Sequence, residues 1–170
     1  MQDRLGNTDA VIATMKKVLT IDANHIQALN YLAYTYADHN LNLEDAEKLA
    51  KHAIELQPND GFIMDTLGWI QFKIGRTSDA IKTLEAAYKM QPTESVIAEH
   101  LGDAYYKYQL PEKAKRMYLR ASEIESNSDV ARKIRAKIVS IDQQNSNVGV
   151  QSSSGRLPAS NSQSKDQEQH

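Results

Sequence analysis

The fold is decided by the stretch SVIAEHLGDAYYKY, residues 95–108, together with PEKAKRMYLRASEI, residues 111–124. In both halves the apolar residues recur every three or four positions, which is typical of one face of an α-helix. They are Ile97, Ala98, Leu101, Ala104, Tyr105 and Tyr108 in the first half, and Ala114, Met117, Tyr118, Ala121 and Ile124 in the second. Pro111 can occupy the first turn of the second helix, where its missing N–H removes no hydrogen bond. The stretch therefore predicts two helices joined by a short turn.

The same helix pair recurs along the chain with a period of 34 or 35 residues. The places that repeat are Leu32-Ala33, Leu67-Gly68 and Leu101-Gly102 in the first helices, and Ala46, Ala80 and Ala114 in the second. The extra residue of the first unit falls in the turn DHNLN, residues 38–42. Small residues at the repeated places let helix backbones cross closely. A fixed period of this length predicts a solenoid in which each unit buries its core against its neighbours.

This pattern resembles the tetratricopeptide repeat family, whose unit has Leu-Gly and Tyr in one helix, then Ala, an aromatic residue or Leu, Ala and Pro. The matching residues are Leu29, Leu32, Ala33, Tyr36, Ala46, Ala50, Ala53 and Pro58; Met64, Leu67, Gly68, Ala80, Leu84, Ala87 and Pro92; and Ala98, Leu101, Gly102, Tyr105, Ala114, Tyr118 and Ala121. The resemblance implies an all-α fold, a right-handed superhelix of antiparallel helix pairs. Gln71 departs from the pattern where a buried Tyr or Leu is expected, and Ser126 replaces the closing proline of the third unit. We therefore expect looser packing at Gln71 and a changed junction after the third unit.

The predicted organisation has three complete units between two different ends. It comprises a half repeat at 6–24, repeats at 26–60, 61–94 and 95–128, a capping helix at 129–142 and a disordered tail at 143–170. Ser128 is the candidate N-cap of the capping helix. The tail is rich in Ser, Gln and Asn and has few apolar residues with which to offset the entropy of ordering.

The half repeat is predicted to be the second helix of a unit that lacks its first helix. Val11, Met15 and Val18 take the places of Ala46 and its successors, and RLGNTD, residues 4–9, resembles the turn inside a unit. Because a repeat buries its apolar face only against neighbours, we expect the chain to be the C-terminal piece of a longer repeat protein. A natural N-terminal cap helix is the alternative.

Composition excludes several classes of function. The net charge of −2 gives no electrostatic footprint for nucleic acid, and no apolar run approaches the length of a membrane-spanning helix. With no cysteine, there is neither a thiolate nucleophile nor a Cys-ligated zinc site. Glu99-His100 lacks the second histidine of a zinc-binding helix, and we expect the histidines to lie at the surface. The sequence therefore predicts no catalytic, metal or cofactor site.

The resemblance also implies which residues face the concave inner surface, because first helices line it. The predicted groove residues are Asn30, Tyr34, Phe62, Asp65, Trp69, Phe72, Glu99, Asp103 and Tyr106, with Gln27, Ala37 and Val96 at equivalent places. Family members that grip a C-terminal carboxylate use Lys, Arg and Asn at such places, and here only Asn30 fits. Acidic residues beside aromatic rings instead favour a peptide bearing Lys or Arg and an apolar anchor.

Trp69, the only tryptophan, has two interpretations. It shares a stripe with Phe62, Asp65 and Phe72, rotated from the apolar stripe that begins at Ile63, so it can meet a partner. The alternative is that it packs against the neighbouring first helices.

We therefore predict a bacterial-type, non-catalytic scaffold that binds a protein or peptide. Self-assembly through the half repeat, giving a homo-oligomer, and a regulatory domain within a longer protein are the alternatives. The resemblance covers residues 6–126 and leaves the bacterial periplasm, the outer membrane and the cytoplasm open as compartments.

Overall fold

The computed structural model describes the backbone of residues 2–153 and the side chains of residues 7–144. All regular secondary structure in this range is helical, as predicted. The helices are α1 (Gln2–Ile21), α2 (Ile26–Asp38), α3 (Leu43–Leu56), α4 (Gly61–Lys73), α5 (Thr77–Met90), α6 (Ser95–Lys107), α7 (Pro111–Ile124) and α8 (Ser128–Ser153). Within the described range, no helix is both long and apolar enough to cross a bilayer.

The helices form three pairs, α2 with α3, α4 with α5 and α6 with α7, which stack in chain order. The first helices also pack side by side, α2 on α4 and α4 on α6, so they form a continuous row. Helix α1 packs on α2 in the way that α3 packs on α4 and α5 on α6. Helix α8 packs on α7 and closes the opposite end.

Two glycines fix how closely the members of a pair approach. A Cβ atom added to Gly68 would lie 2.6 Å from Cγ of Leu84, and one added to Gly102 would lie 2.6 Å from Cε1 of Tyr118. Both distances are too short for van der Waals contact. Because Leu84 and Tyr118 are themselves fully packed, the pairs keep their spacing only while these places carry no side chain.

The turn inside each unit contains one residue with a left-handed backbone at the same repeat place. These residues are Asn40 (φ 53°), Gly75 (φ 85°) and Gln109 (φ 61°). The first unit has a second such residue, Asn42 (φ 40°), which accommodates the extra residue predicted in DHNLN. Asn and Gly tolerate this conformation at little cost.

The ends of the structure differ from the sequence prediction. Helix α1 begins at Gln2 and passes through residues 4–9, where a turn was expected. One glycine within a helix costs only about 1 kcal/mol, so Gly6 does not end it. Helix α8 continues to Ser153, past residue 142 where the sequence predicted its end, and residues 154–170 lie outside the described range.

The predicted N-cap of α8 is also wrong by one residue. Oδ1 of Asn127 accepts hydrogen bonds from the backbone N–H groups of Asp129 at 2.9 Å and Val130 at 3.2 Å, so Asn127 is the cap and Ser128 the first helical residue. The part of α8 up to residue 141 has a packing reason, because Ile134 and Ile141 are both fully buried in the core of the third unit. These contacts hold the helix well beyond its first three turns.

Replacing Gly68 by Ala tests the close approach. We expect the free energy of unfolding to fall by about 1–3 kcal/mol, because the added methyl group collides with Leu84. In a Leu84→Ala background, where the colliding side chain is absent, the same replacement should cost less than half as much. Chemical denaturation of the four proteins of this cycle measures the coupling. An equal cost in both backgrounds would show that Leu84 does not set the spacing.

Candidate functional site

The row formed by α2, α4 and α6 is called the inner row. Four rings from these three helices form a connected cluster on it. The ring of His100 stacks on Trp69 with centroids 4.1 Å apart and planes 11° from parallel. Phe72 stacks on Trp69 at 5.0 Å, and Tyr34 lies 6.3 Å from His100 in a tilted arrangement. We call Tyr34, Trp69, Phe72 and His100 the ring cluster. Three of its members were predicted groove residues, whereas His100 was expected at the surface and is instead buried.

His100 is held in the ring cluster by Asp65. Its Nδ1 atom lies 3.0 Å from both carboxylate oxygens of Asp65, and the two side chains are only 8% and 6% exposed. A buried carboxylate is costly unless it is paired, so this contact explains how Asp65 can lie inside a helix row. The carboxylate of Asp65 therefore contacts a residue of the next unit and not a partner on its own helix. The sequence signal was the spacing of 35 residues, one more than the repeat period, which places the two side chains on adjacent first helices.

Trp69 lies between neighbouring first helices. It is 8% exposed and belongs to a core cluster with Leu32, Ala33 and Ile70. The ammonium of Lys73 lies 4.7 Å from the ring centroid, where it is attracted by the π-face. The indole N–H is buried and has no hydrogen-bond partner among the described residues. Burial of this kind agrees with the packing interpretation that the sequence left open.

Two predicted groove residues of the third unit are engaged by α8. The ammonium of Lys137 lies 2.7 Å from Oε1 of Glu99 and 2.7 Å from Oδ1 of Asp103. The hydroxyl of Tyr118 donates to the same Asp103 oxygen at 2.7 Å, and Lys137 lies 5.2 Å from the Tyr118 ring centroid. We call Lys137, Glu99 and Asp103 the lysine clamp. A cavity of about 220 Å³ beside it is lined by Asp103, Tyr106, Tyr118, Lys137, Ser140 and Ile141.

In the lysine clamp, the carboxylates stabilise the charged form of Lys137 against the effect of burial. Burial by itself would lower the pKa of Lys137, but Asp103 and Glu99 outweigh it and the pKa is raised. Burial, followed by the charge of Asp103, raises the pKa of Tyr118. The third predicted residue of this unit, Tyr106, donates its hydroxyl to Oε1 of Gln144 on α8 at 2.5 Å. The inner surface of the third unit is therefore partly covered by the chain's own last helix, which the sequence did not reveal.

The inner surface of the first unit is more open. A cleft of about 480 Å³ lies between α1 and α2, and we call it the α1–α2 cleft; its lining is Asn7, Thr8, Val11, Tyr31, Tyr34, Thr35, Asp38 and His39. Burial, then the charges of Asp38, Asp65 and Glu99, raise the pKa of Tyr34 to about 12. Carboxylates from all three first helices therefore contribute to the negative potential at this hydroxyl.

The remaining predicted groove residues divide by exposure. Phe62 is 43% exposed and Val96, at the equivalent place in the third unit, is 37% exposed. Asn30 is half-buried, and its Oδ1 has no partner among the described residues. The described residues contain no group of three His, Cys, Asp or Glu side chains arranged to hold a metal ion.

Comparison with known proteins agrees with this architecture. A family model for the tetratricopeptide repeat matches residues 63–94. A TPR repeat-containing protein of Pseudomonas aeruginosa is 35% identical over 96 residues, covering 54% of this chain but only 16% of that protein. The chain therefore spans about a sixth of the length of this relative.

Two groups of solved structures share the fold at low sequence identity. The Yersinia enterocolitica type III secretion chaperone SycD, in complex with a peptide of the translocator YopD, has a TM-score of 0.63 with 18% identity over 74% of this chain and 98% of that one. A thermophilic TPR protein from Thermus thermophilus has a TM-score of 0.69 with 17% identity over 81% of this chain and 76% of that one. With the stacked helix pairs, these structures confirm the predicted fold class, and the family model and the Pseudomonas aeruginosa relative confirm the predicted family. The chain is a tetratricopeptide repeat protein, an all-α solenoid of helix pairs.

Proposed function

We propose that the chain is a non-catalytic scaffold that binds a protein or peptide along the inner row of α2, α4 and α6. The observation that supports this most directly is the continuity of the ring cluster across three units. Interlocked rings and the Asp65–His100 pair give the row a rigid floor, and a rigid surface loses little conformational entropy when a partner binds. Phe62 and Val96 lie at the same repeat place on two first helices and offer exposed apolar contacts.

The chemistry of the partner follows from the charges and rings of the row. Burial first, and then the charges of Asp38, Asp65 and Glu99, raise the pKa of Tyr34, so these three carboxylates contribute a negative potential at its hydroxyl. A positive side chain is favoured by such a potential and by neighbouring aromatic faces. An apolar side chain can pack on Phe62. We therefore propose a peptide that combines Lys or Arg with an apolar anchor. A precedent for this mode of use is SycD, whose structure contains a peptide of its translocator.

A second candidate function, self-assembly, is favoured by the outer face of α1. Ile21 is 89% exposed, and an apolar cleft of about 350 Å³ is lined by Met15, Val18, His25, Gln27, Ala28 and Tyr31. Exposed apolar surface of this kind is a common feature of contacts between copies.

Sedimentation velocity over a hundredfold range of concentration tests self-assembly. If copies associate through this face, the weight-average sedimentation coefficient should rise with concentration in the unchanged chain and not in a Val18→Glu variant. Val18 is half-buried at the edge of the cleft, so thermal unfolding should accompany the measurement. A constant monomer coefficient throughout would exclude self-assembly and leave peptide binding as the function.

The binding proposal is tested by selecting peptides from a random 12-residue library on the immobilised chain. Selected peptides should share a basic residue and an apolar residue, and Phe62→Ala should weaken their binding at least fivefold in calorimetric titration. Leu119→Ala is the matched control, because Leu119 is 52% exposed on a second helix away from the inner row. Failure to enrich any peptide family would contradict the proposed function. Equal weakening by both replacements would contradict the inner row as the binding surface.

Trp69→Ala tests whether Trp69 stabilises the inner row or contacts the peptide directly. Because Trp69 is buried between His100 and Phe72, we expect the free energy of unfolding to fall by about 3–5 kcal/mol, as for other buried Trp truncations. The Trp69→Phe variant keeps an aromatic ring in the stack and should retain peptide affinity within about threefold. A change below about 1 kcal/mol for Trp69→Ala, together with lost peptide binding, would instead identify Trp69 as a direct contact.

A further inference from the structure

We infer that the α1–α2 cleft is the subsite that accepts the Lys or Arg side chain of the bound peptide. This inference rests on the proposed function for the existence of the peptide, and it assigns the end of the inner row at which the basic residue lies. It concerns Tyr31 and Asp38 in particular, which were not among the predicted groove residues.

Most carboxylates of the inner row are already paired within the chain. Asp65 is paired with His100, and Glu99 and Asp103 both contact Lys137 in the lysine clamp. Asp38 is exposed at the end of α2, and among the residues whose side chains are described it makes no ion pair or hydrogen bond. Of these carboxylates, Asp38 is therefore the one without an ion-pair partner among the described residues.

The lysine clamp itself shows what this kind of surface accepts. There, an ammonium group lies against carboxylates and a tyrosine ring, in a space lined by Tyr106 and Tyr118. The α1–α2 cleft has the same kinds of group, since Tyr31, Tyr34 and Asp38 all line it. At the third unit the chain supplies the lysine from α8. The lining residues of the α1–α2 cleft that the structure describes include no Lys or Arg, and we infer that a partner supplies the cation there.

The charges at one repeat place also favour the first unit as the position of the basic residue. Asp38 is the last residue of α2, and the last residues of α4 and α6 are Lys73 and Lys107. This repeat place is thus negative in the first unit and positive in the other two. Lys73 lies over Trp69 and would repel a peptide cation from the second unit. The charge pattern favours a peptide that places its basic residue at the first unit.

The size and the remaining polar groups of the cleft also suit such a side chain. Its volume of about 480 Å³ is within the range of small-ligand pockets, and it opens to solvent beside the exposed Tyr31. His39 closes one end, with Nε2 lying 3.0 Å from Oγ1 of Thr8 and Nδ1 lying 3.0 Å from the carbonyl oxygen of Thr35. Both His39 nitrogens have partners, so Asp38 is the charged group of the described lining that can receive an ammonium or guanidinium.

The test uses the lysine side chain by itself. N-acetyl-lysine N-methylamide is titrated into the ¹⁵N-labelled chain, with N-acetyl-norleucine N-methylamide as the probe that has the same stem and no ammonium. The lysine probe should shift the backbone amide signals of residues 31–39 at least threefold more than the norleucine probe does. Asp38→Asn should reduce that difference at least threefold, and Asp38→Lys, which copies the residue type of the other two units, should abolish it.

Asp79→Asn is the matched control. Asp79 is an exposed carboxylate on α5, so this variant has the same change in net charge away from the cleft and should behave as the unchanged chain. Thermal unfolding of each variant confirms that the fold is kept. Equal shifts from both probes, or an unchanged lysine response in Asp38→Asn, would overturn the inference, as would shifts confined to residues 99–107.

Peptides from the library selection separate this inference from the proposed function. Replacing the basic residue of a selected peptide by norleucine should weaken binding about five- to tenfold, and this loss should disappear in Asp38→Asn. If peptides bind and Asp38→Asn leaves the loss unchanged, the subsite is wrong and the scaffold function stands. If the lysine probe binds in the cleft but no peptide is selected, the subsite stands and the scaffold function is wrong.

Discussion

The close approach of the paired helices at Gly68 and Gly102 is the constraint on which the rest of the structure depends. At these places the neighbouring Leu84 and Tyr118 fill the space in which a Cβ atom would lie. Because this spacing recurs in consecutive units, the first helices keep a constant offset along the solenoid. That offset brings residues about 35 positions apart into contact. The contacts of the inner row follow from it.

The pairing of Asp65 with His100 is the clearest consequence of that offset. The two residues lie on adjacent first helices, and their buried contact at 3.0 Å is reinforced by the stacking of His100 on Trp69. A buried pair of this kind adds little net stability, since desolvation offsets much of the attraction. Its effect is on geometry, because it fixes the rotamers that make the floor of the row. A rigid floor is what the proposed binding mode needs, since it leaves fewer side chains to be ordered by a partner.

The sequence predicted what is periodic and missed what is not. The helix pairs and the close approach at Gly68 and Gly102 depend on apolar and small residue types that recur at fixed repeat places. The longer turn at residues 38–42 was predicted as a one-residue change in that period. The burial of His100 could not be predicted in this way, because the equivalent places carry Tyr31 and Thr66. The extent of α8 was missed for a related reason, because residues 143–153 have no counterpart in the repeat and their composition favours disorder.

Lys137 lies outside the repeats, yet its contacts change the charge of the surface that the repeats form. By sequence alone, Glu99 and Asp103 add two negative charges to the inner row, and the whole row reads as acidic. In the structure one ammonium group lies close to both carboxylates and compensates one of the two negative charges. Removing either carboxylate would leave the Lys137 ammonium with one of its two partners, so the three residues act together and not as separate sites. Charge pairing inside a molecule decides which charges are left for a partner, and charges across an interface act more on specificity than on affinity. Here the carboxylates of the third unit are engaged by Lys137, whereas Asp38 of the first unit has no ion-pair partner among the described residues, and this difference gives a row built of similar repeats a direction.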